Sequence, residues 1–316
     1  MARSSDQSAG NGQDGPLREL LALGERTRRN LPQQLRHRIG VADPSLFDDE
    51  LVARTRGLLV DLTEQLAGDR PYGLDTGAHL DGRDAILRAL FDQPALLAHC
   101  HGLALEFRLM RRLAKDADID SLLPPVLQEL IASPMEEVSR LASAALAAQT
   151  RFIRNMERMQ LPLRQLPGEL LHVVLGIGRE RLKDMIVSDA VEHAVRTSYD
   201  EGATRLALFA RLANKTDYLG TRGWQLEEAG VPLFLASLSM ADGQGHYDAV
   251  LLTTQSQMVR LALTLRTLGC NPRAVNRNLY LLHDEIALPV IAGIEPGTAS
   301  AMLAESIAGR GARDAA

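Results

Sequence analysis

At 316 residues the chain is about twice the commonest domain size, enough for one elongated helical domain or two smaller ones sharing an interface. A formal net charge of -5 excludes a protein whose whole surface is a basic footprint for nucleic acid or anionic lipid. With 46% hydrophobic and only 4% aromatic residues, the core must be built from Leu, Ala, Val, Ile and Met, which points to an all-α fold.

Residues 1–15 are Ser, Gly, Asn, Gln and Asp with hardly an apolar side chain, so they read as a disordered tail. From Pro16 the apolar residues recur with the helical period. After Asp43-Pro44, Leu51, Thr55, Leu58, Leu59, Leu62 and Leu66 share one face, opposed by Arg54, Arg56, Asp61 and Glu64. Gln93-Pro94 opens the next strongly periodic run, which extends to Leu113. Within it, His99 and His101 stand about 200° apart on a helix and cannot face one metal ion. One buried side chain with its neighbours at the surface is the expected arrangement of His99-Cys100-His101.

Ser133, Pro134 and Glu136 read as a capping box at the head of a helix of about six turns. Its apolar stripe is Val138, Leu141, Ala142, Ala145, Phe152, Ile153, Met156 and Met159, opposed by Arg140, Arg151, Arg154 and Arg158. The prolines of Leu161-Pro162-Leu163 and Leu166-Pro167-Gly168 interrupt helix while the leucines persist, which predicts a buried corner. Gly176-Ile177-Gly178-Arg179 lacks the third glycine and the Lys-Ser or Lys-Thr of a phosphate loop, and reads as a helix interruption. Further breaks are expected near residues 69–77, 116–120, 215–223, 242–245 and 287–297.

The polar run 214–223 sets a soft boundary between a larger helical part, 16–214, and a smaller one, 215–309, with a second tail at 310–316. About ten to twelve helices are expected, arranged as stacked hairpins in a solenoid-like array or as an irregular multi-helix bundle. Residues 261–282 read as helix, turn and helix, with Arg273 and Arg277 as candidate nucleic-acid contacts. Leu265 stands where a small residue usually lets the two helices cross, and Asn278 where an apolar one usually faces the core, so nucleic acid is the disfavoured alternative.

Three phrases of the sequence resemble an uncharacterised family of all-helical, Ala/Leu-rich proteins from alphaproteobacteria. They are residues 125–134 (PVLQELIASP), 158–170 (RMQLPLRQLPGEL), and 229–236 (AGVPLFLA) followed by 260–266 (RLALTLR). The resemblance implies a helical, repeat-like fold and carries no catalytic residue.

No acid pair, nucleophile elbow, metal-ligand spacing or cofactor motif is present, so no catalytic, cofactor or metal residue is assigned. The expectation is a non-enzymatic protein-protein interaction or regulatory scaffold, acting on a protein partner or on a second copy of itself. Its candidate surface is Arg151, Arg154, Met156, Arg158 and Met159, where forked arginine donors lie beside adaptable methionines. An enzyme with a dispersed site is the remaining alternative, with His99, His172, His193 and His283 as the imaginable general bases. Two distant cysteines, no secretory signal and no run of roughly 18 to 20 apolar residues point to the cytoplasm.

Overall fold

The computed structural model describes residues 11–37, 48–67, 77–181, 186–215, 219–243, 245–283 and 293–314. Among these are fourteen α-helices with four short 3-10 turns and no strand, as the composition demands. In chain order the first seven are α1 (Asn11–His37), α2 (Asp49–Ala67), α3 (Gly77–Phe91), α4 (Pro94–Asp116), α5 (Pro125–Ile131), α6 (Glu136–Glu157) and α7 (Gly168–Arg181). They are followed by α8 (Ile186–Ser198), α9 (Arg205–Ala213), α10 (Leu226–Asp242), α11 (His246–Leu252), α12 (Met258–Thr267), α13 (Pro272–His283) and α14 (Pro296–Asp314). Residues 11–15 and 310–314, read from composition as tails, lie within α1 and α14. The expected break at 69–77 falls almost wholly outside the described residues, as does most of that at 287–297.

Helix α2 begins where Asp48 Oδ1 accepts from Leu51 N at 2.7 Å, satisfying a first-turn donor, and Asp49 and Glu50 complement the helix dipole. Its buried face holds every residue that the period predicts, and Thr63 and Arg54 are buried too. The Arg54 guanidinium donates to the Met156 carbonyl and lies 4.7 Å above the Phe107 ring, so the arginine is held by a helix-end carbonyl and an aromatic face.

Helix α4 is the centre of the protein. Every residue from His99 to Phe107 is buried, so no polar face remains over that stretch. Ala104, Leu105, Leu109, Met110 and Leu113 belong to one hydrophobic cluster, and Leu96, Leu97, Cys100, Leu103 and Phe107 to a second. The helix touches α1, α2, α3, α6, α10 and α11. In a solenoid each unit touches only its neighbours, so the architecture is an irregular bundle around α4. The first cluster also runs across the polar segment 214–223, taking in Leu212, Leu219 and Leu226, so the core is continuous there.

Helix α6 starts at Glu136, not at Ser133, whose hydroxyl accepts from Met135 N in the turn before it. The capping box therefore does not form. At the other end, Met159 takes φ 55°, while Met159 N donates to Met156 O and Gln160 N to Asn155 O. This is a Schellman stop with methionine where glycine is usual.

The corner after α6 is buried, with Leu161, Leu163 and Leu166 all in the core. Side chains of α2 tie it down: Asp61 accepts from Leu161 N at 2.8 Å and Gln65 from Leu163 N at 3.0 Å. Gly176 and Gly178 do not interrupt helix but lie inside α7, and a Cβ on Gly178 would stand 3.0 Å from Leu66 of α2.

Gly230 divides α10 with φ 64° and ψ 169°, a conformation open to glycine almost alone, and a Cβ there would lie 2.8 Å from Pro124 Cγ. Gly230→Ala is expected to destabilise the protein by about 2 kcal/mol or more in denaturant titration. Gly176→Ala, at a helical position with nothing within 4 Å, is expected to change stability by about 1 kcal/mol at most and in the stabilising direction. Equal effects at both positions would refute the assignment of strain to Gly230.

Candidate functional site

A charged cluster sits inside the bundle where α4, α6, α9 and α11 meet. Glu106 of α4 is fully buried, and Arg205, the first residue of α9, is 4% exposed. Their side chains pair through two bonds, 2.7 Å to Glu106 Oε1 and 2.6 Å to Oε2, the bidentate geometry that a guanidinium fork favours. His246 Nε2 meets Glu106 Oε2 at 3.0 Å, and Gln149 Oε1 accepts from Arg205 at 3.2 Å. The guanidinium also lies 3.7 Å from the centre of the Phe152 ring.

A cation at a helix N-terminus opposes the helix dipole, so Arg205 is held there by its partners. Thr204 caps the helix, and Gln165 Oε1 from the corner accepts from the Arg205 amide at 3.1 Å. Burial alone would raise the Glu106 carboxyl, but the charges and hydrogen bonds of Arg205 and His246 outweigh it and hold the group well below the usual carboxylate range.

Against this cluster lies a cavity of about 320 Å³, walled by α4, α6, the corner and the segment leading into α9. This is at the small end of the roughly 300–1,000 Å³ of small-molecule pockets. Phe152, Met156, Leu103 and Leu161 form its apolar part, and Arg151, Arg164 and Arg205 bring three guanidiniums to it. A second cavity of about 310 Å³ adjoins it at Gln165, Arg205 and Leu206 and extends to His246.

His99 lines the first cavity, is 9% exposed, and its Nε2 is covered from solvent without a hydrogen-bond partner among the described residues. Such an orphaned polar atom costs free energy unless something bonds to it. Burial, reinforced by the charges of His246 and Arg205 and only partly offset by Glu106, lowers its pKa to about 3. His99 is therefore a neutral imidazole at any physiological pH and is poorly suited to act as a general base.

The expected surface residues separate. Arg151 and Met156 line the cavity, Met156 being almost fully buried, whereas Arg154, Arg158 and Met159 are exposed. Met159 packs on Gly57 of α2. His99, Cys100 and His101 are all buried, because α4 has no solvent face there, which corrects the expectation of a single buried member. Burial raises the Cys100 thiol to about 12 and the Cys270 thiol to about 11, so both stay protonated and unreactive. His172 and His193 are exposed. Among the described residues no group of three or more His, Cys, Asp or Glu is placed to hold a metal ion.

The hairpin of α12 and α13 forms, turning at Gly269 with φ 84°. Leu265 is fully buried, and Asn278 is buried with a purpose: it accepts from Leu226 N at 3.0 Å and donates to Trp224 O at 2.8 Å. Arg273 is exposed, but Arg277 is bonded to Glu227, which places a carboxylate beside the face that would meet phosphate. No described helix is long and apolar enough to cross a membrane.

Sequence reasoning missed Glu106, Gln149, Arg205 and His246. The one signal was Glu106 itself, a carboxylate in the otherwise apolar run Leu103 to Leu109 apart from Arg108. Compared with protein-family models, with curated proteins and with solved structures, the chain matches none.

Proposed function

We propose that the protein is a non-enzymatic regulatory binding protein, whose bundle takes a small molecule into the cavity between α4, α6 and α9. A protein partner or a second copy would read its occupancy on the outer face of α6, where Arg154 and Arg158 are exposed without ion-pair partners among the described residues. The observation that carries the reading is the conjunction of an apolar cavity with a buried, unpartnered imidazole nitrogen and a fixed polar wall. The low pKa of His99 favours binding over acid-base chemistry.

The test is a thermal-shift screen of the full-length protein against a broad set of metabolites, with Ala148→Trp as control because Ala148 lines the cavity. A true ligand at about a hundred times its Kd should stabilise the native state by about 2.7 kcal/mol and raise the Tm by several degrees. The Ala148→Trp variant should lose that rise. A ligand whose effect survives the substitution would place binding elsewhere and refute this reading.

A further inference from the structure

We infer that the cavity selects an organic anion: one carboxylate or phosphate-ester head carried on a compact apolar body. This rests on the binding reading above and adds the chemistry of the ligand.

The charge inventory of the walls sets the sign. Of the three guanidiniums, Arg205 is already neutralised by Glu106. Arg151 and Arg164 have no ion-pair partner among the described residues. Asp200 also lines the cavity, with Oδ1 accepting from Gly202 N, so the two unpaired cations face one carboxylate. The balance left over is positive, which suits an anionic head. A guanidinium fork matches both carboxylate and phosphate oxygens, so the shared chemistry is an oxyanion.

The floor sets the rest. His99 stays neutral, so it adds no charge and offers the ligand one uncharged hydrogen bond from a nitrogen that now has none. Phe152 is covered on one face by Arg205, and with Met156 and Leu103 it gives the body of the ligand an apolar bed. An ammonium compound would meet two unpaired guanidiniums at close range and is disfavoured by the same charges that draw an anion.

Four probes with one ring and different heads test this on the full-length protein by calorimetry: phenylacetate, phenyl phosphate, benzyl alcohol and 2-phenylethylammonium. Phenylacetate or phenyl phosphate should bind at least tenfold tighter than benzyl alcohol, and 2-phenylethylammonium should not bind. Whichever anion leads identifies the head as carboxylate or phosphate. Arg151 and Arg164 are exposed, so Arg151→Gln and Arg164→Gln should fold normally, each weakening the anions about tenfold and leaving benzyl alcohol unchanged. If benzyl alcohol binds as tightly as the anions, or both arginine variants bind anions normally, the anion inference falls while the cavity reading stands. If none of the four binds, both fall.

Discussion

Replacing Glu106 with Gln is expected to lower the unfolding free energy by about 3–5 kcal/mol, with a similar loss for Arg205→Met. Each change strands the other charge where little solvent reaches: Arg205 is 4% exposed and Glu106 not at all. Removing both charges, as Glu106→Leu with Arg205→Met, should cost less than either single change, because a buried pair mainly offsets its own desolvation. Guanidinium titration of the three variants measures this directly. A single-variant loss below about 1 kcal/mol would mean that water reaches the pair.

The size of that effect follows from where the pair sits. Typical domains have only about 5–15 kcal/mol of total stability, so one stranded charge here consumes a large part of it. The same two residues also fix the site. Arg205 is anchored by Glu106 and stacked on Phe152, and it holds the start of α9 against α6, which forms one wall of the cavity. Stability and cavity shape are therefore coupled at one side chain. Arg151 and Arg164, which line the cavity without ion pairs among the described residues, are not coupled in this way.

The all-helical class was legible because Leu and Ala recur at the helical period, and the α2 stripe was read residue by residue. The buried corner was legible too, since leucines persisted through Pro162 and Pro167. What was hidden was non-local. A stop signal is ordinarily a glycine, and the left-handed position after α6 is Met159, so the prolines marked the corner while the turn that ends the helix carried no mark of its own. Arg54 looked like a solvated-face residue because nothing nearby in sequence announces the Met156 carbonyl and the Phe107 ring that receive it. Glu106, Gln149, Arg205 and His246 come from four helices, and the pairing of Glu106 with Arg205 spans 99 residues. A periodic pattern reports which face is buried, not which buried charges will meet.

Stability is also expected to fall as the pH drops below about 6.5, in two stages of the same sign. His99 has its ordinary pKa near 6.5 when unfolded and about 3 when folded, so the unfolded chain takes up a proton that the folded one refuses. Its contribution is fully present above 6.5 and is lost as the pH falls toward 3, at up to about 1.4 kcal/mol per pH unit. Between pH 6.5 and 4.5 the loss should reach about 2–3 kcal/mol. Below that, Glu106 adds to it, because its folded carboxyl is held down by Arg205 and His246 while the unfolded one protonates at the ordinary value. The change His99→Gln should remove the first stage and leave the second, whatever constant offset it brings. The decisive quantity is the difference in unfolding free energy between the two proteins, measured from pH 7.5 to 4. It should shift toward the variant by about 2–3 kcal/mol on descending to pH 4.5. Parallel curves would mean that the folded protein protonates His99 as readily as the unfolded chain does, and that the cavity floor is open to water.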